Sequence, residues 1–561
     1  MSNLMPHVLR PALPPARSSR KALVLSTILV FLCGPLHSPA SAAAGDLDPA
    51  FGSNGLVVTD FSGNNDFGEA LLIQPDGRLV AVGSVDVGSP NSNFGLARYN
   101  ADGSLDPSFG SGGKVVTDFF GDIDFAFDAA LQPDGKIVVA GQVFNTITGT
   151  DFALARYNSD GSLDLSFGSG GKVTTDFFGD FDDVRGVALQ PDGKIVVAGF
   201  ARNGSNESVD FAVARYNIDG SLDSSFGGDG KVTTDFFGTR EFVSSVSVQS
   251  DGKIVVAGSA SPMSDFDSMF ALARYNNDGS LDPTFDGDGR VTTDFGRFAG
   301  VSDLVIQPDG KIVAAGNAFP DGEFENEFAL ARYNADGSLD TTFGGDGRVT
   351  LHPGGRGGAA RAVALQPDGK IIAAGSVIVP VGSDSDIAVA RFNSDGSVDT
   401  SFGVNGVVTT NFVGNHSDPE EDLDTAAAVA IQADGKIVVA GITLSSDGNT
   451  DFILARYLGD EVSAFDLCLQ DESSGRILEL SLTTGDYRFT ECGTGLVIEG
   501  TGAVSRRGNN ITLQHNAPDR RVIVRVDRER ARGHATLHSF TSRATFTIND
   551  RSIADNDCSC D

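Results

Sequence analysis

A chain of 561 residues carries a formal charge of −34, with 75 Asp and Glu against 41 Lys and Arg. That length allows several domains. That charge repels phosphate backbones and argues against a nucleic-acid partner. It is also uneven: residues 1–44 carry +4, residues 462–561 carry −2 from 12 Arg and 14 Asp and Glu, and the middle holds −36.

The first segment reads as an export signal. Arg10, Arg17, Arg20 and Lys21 precede an apolar run of twelve, Ala22 to Cys33, followed by Pro35, Pro39 and the small residues Ala40 to Ala44. The run is short for a bilayer crossing. The order basic, apolar, small is that of a secretory signal peptide over residues 1–44, cleaved after Ala42 or Ala44. A retained membrane anchor is the alternative. No later segment is apolar enough to span a membrane, so the mature chain is expected to be secreted or held in the cell envelope.

Residues 45–461 repeat. The Leu or Val that opens each unit stands at Leu47, Leu105, Leu163, Leu222, Leu281, Leu339 and Val398, with spacings of 58 or 59 residues. Each unit holds a hairpin such as Ala130-Leu131-Gln132-Pro133-Asp134-Gly135-Lys136-Ile137-Val138-Val139. Pro133 pre-sets φ for the second turn position, and Gly135 can take the positive φ that closes the hairpin. The β-branched run after it is apolar on both faces, as a strand between two neighbouring sheets requires. Every segment of the unit is strand-like. Four strands, seven units and no amphipathic helix predict an all-β fold, a seven-bladed β-propeller. A β-helix is the rival, but its coils are much shorter than these units. If the strand before the turn is innermost, each blade straddles the repeat boundary. Leu56–Phe61 then has no blade of its own and is expected to complete the last one beside Phe452–Tyr457, removing two exposed edges.

The motif Asn-x-Asp-Gly-Ser-Leu-Asp followed by Phe-Gly, as in Asn158 to Gly168, together with the Gln-Pro-Asp-Gly-Lys turn, resembles the delta-60 repeat family of bacterial exported proteins. The resemblance covers residues 46–457. It implies a propeller and export, and brings no established activity. Tryptophan is absent, which excludes the Trp-Asp signature of WD40 blades; 39 Phe are available for that packing.

Several residues invite a site reading. An Arg recurs in all seven units: Arg98, Arg156, Arg215, Arg274, Arg332, Arg391 and Arg456. A scaffold needs seven copies more often than a ligand does, so structural ion pairs are expected, Arg156 with Asp176 and Arg215 with Asp235. The variable connections contain Asp122, Asp124, Asp180, Asp182, Asp183, Glu420 and Glu421. If these share a rim they form an acidic ligand-binding patch, since loops on a rigid scaffold carry function; surface solvation is the plain alternative. The Asn-x-Asp-Gly-Ser-Leu-Asp turn presents oxygens at alternate positions, as Ca²⁺ loops do, but lacks the closing bidentate Glu. Asx capping uses the same residues, and no cofactor is expected.

Residues 462–561 change composition and punctuate short alternating runs with Gly and Asn, which predicts a small C-terminal β-sandwich or barrel. Cys468, Cys492, Cys558 and Cys560 all lie there. After export an even number suggests two disulfides with three possible pairings, of which Cys468 with Cys492 is expected, Cys558 or Cys560 lying near them; a zinc site is the alternative. No serine elbow, His-Glu-x-x-His or phosphate loop is present. The function expected is that of a non-catalytic exported propeller binding a protein or glycan. The alternative is an extracellular hydrolase or lyase with carboxylates at the channel mouth.

Overall fold

A computed structural model describes residues 43–460, except the loop stretches 89–90, 203–207, 263–266, 321–324, 380–383, 413–422 and 446–447. From residue 467 it describes strand backbones alone.

Seven antiparallel four-stranded sheets follow one another along the chain. Blade one is Asp66–Ile73, Leu79–Asp86, Ser92–Tyr99 and Lys114–Thr117; blade two is Asp124–Leu131, Ile137–Asn145, Gly149–Tyr157 and Lys172–Thr175. Blades three to six begin at Asp182, Glu241, Phe298 and Gly358. The hairpin turn forms as its residues require: Gly135 has φ 84°, Gln132 N donates to Lys136 O at 2.8 Å, and Gly135 N to Gln132 O at 2.9 Å. Blade seven, Thr425–Ile431, Ile437–Leu444 and Thr450–Tyr457, takes its fourth strand from the other end of the propeller sequence. Leu56 pairs with Ala455 and Thr59 with Phe452. The ring is therefore closed by hydrogen bonds across its seam, as expected from the orphan first strand.

The apolar core lies between blades rather than within them. Val80, Val82, Phe94 and Leu96 of blade one pack on Ala126, Ile137 and Val139 of blade two. Phe51, Leu79 and Ala81 meet Val438 and Leu454 across the closing seam. The sheets are thus buried on both faces, and the second and third strands read as unbroken apolar runs for that reason.

The repeated arginine is part of this packing, but with a different partner from the one the sequence suggests. Arg156 donates from Nε to Asp164 Oδ2 at 2.8 Å, and Arg215 to Asp223 Oδ2 at 2.8 Å. The partner is the Asp of Ser-Leu-Asp, eight residues on. After the third strand the chain doubles back, and Asp164 N donates to Arg156 O. Asp176 and Asp235 instead receive the backbone N–H of Gly179 and Gly238. Each guanidinium also lies over a Phe, Arg156 over Phe167 at 4.4 Å. It further donates to a carbonyl in the next blade's turn, Arg156 to Ile218 O and Arg215 to Asn277 O.

A second polar contact repeats between blades. The hydroxyl of Tyr99 donates to Thr59, Tyr216 to Thr175 and Tyr275 to Thr234, at 2.8–2.9 Å. In one junction Phe392 stands for the Tyr, and there the Thr position is Leu351. Losing both hydroxyls together leaves no buried donor stranded, whereas losing one costs about 1–3 kcal/mol.

Beyond the ring, strand backbones form a four-stranded antiparallel sheet from Leu467–Asp471 to Leu496–Thr501, and a five-stranded one from Ala503–Arg507 to Arg543–Asn549. The cysteine pairing lies outside the described residues: Cys492, Cys558 and Cys560 are not described, and Cys468 only as strand backbone.

Closure makes a direct prediction. Removing residues 45–62 exposes the edge of Thr450–Tyr457 and deletes the core residue Phe51. We expect the ring to lose stability as a whole, seen as a lowered Tm for the entire propeller transition in calorimetry. An unchanged Tm would mean that the shared strand contributes nothing to closure.

Candidate ligand site in the central channel

The innermost strand of every blade carries a β-bulge at the same place. In blade two the register passes from Ala126↔Gly141 to Asp128↔Ala140, leaving Phe127 unpaired. The bulge presses the inner strand against its neighbour: a Cβ on Gly141 would lie 1.9 Å from Phe125 O, so glycine is obligatory there. Bulges re-aim side chains, and here the unpaired residue lines the channel. Around the ring these residues are Glu69, Phe127, Arg185, Ser244, Ser302, Arg361 and Ala427. Seven equivalent positions thus hold five residue types, on a scaffold that otherwise repeats closely. They enclose, with their neighbours, a cavity of about 650 Å³.

The lining sorts into engaged and free groups. Asp128 accepts from Val187 N of the next blade at 2.7 Å and from Ala129 N at 2.8 Å. Asp303 accepts from Val363 N at 2.9 Å, Ser245 Oγ at 2.8 Å and Leu304 N at 2.8 Å. Both are staples between blades. Arg185 is committed as well: its Nη2 is 2.6 Å from Asp183 Oδ2, and its guanidinium lies 4.2 Å from the Phe127 ring centroid. Arg361 and Glu69 differ. Neither makes a hydrogen bond or salt bridge among the described residues, and Arg361 is exposed to the channel. Burial pushes the Glu69 carboxyl up, against the opposing pull of Arg361 and Arg185.

The acidic residues expected at the rim are dispersed. Asp124 and Asp182 are the first residues of their inner strands and are buried. Each clamps the preceding loop by accepting from Phe119 N or Phe177 N at 2.7 Å. Asp183 is buried against Arg185. Asp122 and Asp180 remain in half-buried loops, while Glu420 and Glu421 fall outside the described residues. The described members therefore make no exposed acidic patch. The oxygens of the Asx turn are also occupied: Asp160 Oδ1 accepts from Ser162 N at 2.9 Å and Ser162 Oγ at 2.6 Å. The channel ring escaped the sequence reading, although it left a trace. Its members stand five residues before the recurring Gln74, Gln132, Gln190 and their equivalents, at one variable position in a strand that otherwise repeats.

The fold and this ring define the class, a seven-bladed β-propeller with an asymmetric channel. The chain carries seven copies of the repeat described as Domain of unknown function (DUF5122) beta-propeller, matched at residues 74–109, 132–167, 190–226, 249–285, 307–343, 366–402 and 432–460. Among curated proteins none matches the chain. Solved structures with a similar course include a catalytically inactive virginiamycin B lyase from Staphylococcus aureus with quinupristin, at 11% identity and TM-score 0.36, covering 71% of this chain and 98% of that one. The polysaccharide lyase Uly1 matches at 13% identity and TM-score 0.39, covering 70% and 90%. An α-L-arabinofuranosidase from Fusarium graminearum matches at 10% and 0.37, covering 72% and 97%. Likenesses this distant carry no argument about activity.

The channel carboxyls predict a pH dependence. Burial pushes Asp128 up to about 7 and Asp303 up to about 6, opposed by their backbone hydrogen bonds. Glu69, Asp183, Arg185 and Arg361 are the charged groups around them. An acid whose folded pKa exceeds its unfolded value of about 3.9 stabilises fully below that value and loses the contribution as pH rises through the folded pKa. Stability should therefore fall between about pH 4 and pH 7, and Asp128→Asn should flatten that slope. A slope unchanged by Asp128→Asn in urea titrations at several pH values would contradict the assignment.

Proposed function

We propose that this chain is an exported, non-catalytic binding propeller whose ligand seat is the channel ring. The observation that carries the reading is the free guanidinium of Arg361 together with Glu69, set beside charged groups, Asp128, Asp303 and Arg185, that are otherwise engaged. An unpaired Arg in a confined site is suited to a carboxylate or sulfate, and an adjacent carboxylate and two serines accept hydroxyl donors. The ligand class is an acidic glycan unit. Export rests on the leader, residues 1–44, and cleavage after Ala42 would retain Ala44, whose carbonyl accepts from Gly403 N beside the outer strand of blade six. The C-terminal strands are read as a separate small sandwich or barrel, stapled by disulfides among Cys468, Cys492, Cys558 and Cys560, that serves attachment or partner binding.

The second reading is a hydrolase or lyase, favoured by the raised carboxyl of Glu69. Acid–base cleavage of a glycosidic bond ordinarily uses two carboxyl groups. Asp128 and Asp303 are tied into the blades, and that leaves Glu69 alone.

Calorimetric titration with a panel of acidic and neutral oligosaccharides tests the proposal. We expect an acidic member to bind, and Arg361→Ala and Glu69→Gln each to weaken it at least about tenfold, roughly 1.4 kcal/mol, with Tm unchanged. Binding indifferent to both substitutions would overturn the channel assignment. Product release from the same panel, abolished by Glu69→Gln, would establish the enzyme instead.

A further inference from the structure

Away from the channel, three blade junctions gather carboxylates at the rim among the described residues. At the junction of blades two and three, Asp151 of a third strand, Asp176 after the outer strand and Asp182 of the next inner strand place one oxygen each within 4.8 Å of one another. Asp60, Asp66 and Asp451 do the same at the closing seam, and Asp210, Asp235 and Glu241 at the junction of blades three and four. Oxygens on the shell of a cation coordinated at about 2.4 Å lie no more than about 4.8 Å apart, so the spacing suits one ion per cluster.

Proximity alone would carry little, because exposed acids often cluster. In each of these, two of the three members are buried. Asp182 is 0% exposed and Asp151 3%. Asp182 spends Oδ2 on Phe177 N, and Asp151 spends Oδ2 on Asn145 and Thr148. The other oxygen of each, Oδ1, is buried with no hydrogen-bond partner. Asp66 Oδ1 and Glu241 Oε2 are stranded in the same way. A buried carboxylate oxygen without a donor is costly. At the junction of blades two and three two such oxygens stand beside a third acid, and at each of the other two one does; a shared proton or a metal would relieve them. The cationic neighbour Lys231 does not supply the missing donor, since its Nζ donates to Asp176 O.

The other junctions show what happens when the set is incomplete. By register, Met269 and Ala299 take the places of Asp151 and Asp182 at one junction, and there the buried acids are gone. At another, His352 stands at the rim position and pairs with Glu325 at 2.7 Å. The stranded inner-strand acid also occurs at Asp124 and Asp424, but the complete three-acid set is found at three junctions among the described residues, where a scaffold requirement would recur at every one.

We propose that these three junctions each bind one hard divalent cation, Ca²⁺, coordinated by two buried carboxylates and one rim carboxylate from adjoining blades. The rim residue, Asp176, Asp60 or Asp235, is the solvent-facing member and gives the entry path. The large, flexible coordination sphere of Ca²⁺ tolerates backbone and water ligands beside three carboxylates, where Mg²⁺ demands near-octahedral geometry. The bound ion ties the outer edge of one blade to the inner strand of the next.

The test is a calorimetric Ca²⁺ titration of the EDTA-treated full chain at pH 7.5, with Tm read in parallel. We expect about three ions per chain, saturation by about 1 mM as in extracellular modules, and a raised Tm. Asp151→Asn/Asp182→Asn should lower the stoichiometry by one while leaving Tm in EDTA unchanged or higher, because it removes charge and keeps the shape. Asp176→Asn, at a half-buried position, should weaken the same site without endangering the fold. Absence of both heat and a Tm shift with millimolar Ca²⁺, or a stoichiometry indifferent to these substitutions, would overturn the proposal and leave a shared proton as the explanation.

Discussion

Everything in this ring depends on a buried guanidinium that closes each third strand. Arg98, Arg156, Arg215, Arg274, Arg332, Arg391 and Arg456 are all buried. Such a charge is tolerated only when it is paired and its donors are used. Six of the seven reach a carbonyl or carboxylate of the following blade as well as the Asp of their own unit, and the seventh, Arg456, crosses the seam. It binds Asp48 at 2.9 Å and Ala101 O at 2.6 Å, joining the last unit to the first. Burial alone would raise the Asp164 carboxyl. Hydrogen bonds from Ser166, Lys136 and Arg156 overcome it and hold the group well below the usual carboxylate range. Where the repeat runs out, the pattern adapts: Arg391 has no next turn of the usual sequence, and Asp460 supplies a carboxylate oxygen at 2.8 Å.

A scaffold secured at the periphery leaves its centre free to vary. The bulge and the glycine that faces it are fixed by sterics in all seven blades, since the Cβ distances to backbone at Gly83, Gly141, Gly199, Gly258, Gly316, Gly375 and Gly441 run from 1.8 to 2.0 Å. The residue that the bulge presents is not fixed by sterics at all. It is Glu69, Phe127, Arg361 or Ala427 in blades that keep the same register. The division of labour is physical: backbone close approach makes the ring, and one unconstrained side chain per blade makes the site.

The fold was largely legible in the sequence because its determinants are local and repeated. The 58- or 59-residue spacing, the Pro-Asp-Gly turn and the unbroken apolar runs led to seven four-stranded blades, and the orphan strand at Leu56 led to the closure. The arginine partner was misread because the Asp of Thr-Asp-Phe recurs with the arginine along the repeat, whereas the return of the chain after Tyr157 delivers Asp164. The acidic loops misled for a similar reason. Asp124 and Asp182 look like loop residues by composition, but each starts an inner strand and turns inward to hold a backbone N–H. The channel ring was hidden because a bulge cannot be located without the register of its partner strand.

The central claim is that blade-to-blade arginine nodes hold the ring together, and the node at the seam tests it most directly. Urea unfolding of Arg456→Met should show a loss on the order of 3–5 kcal/mol, because Asp48 is left buried without its main partner, and Arg456→Met/Asp48→Leu should recover much of it. A loss below about 1 kcal/mol for the single variant, or no recovery in the double variant, would contradict the account.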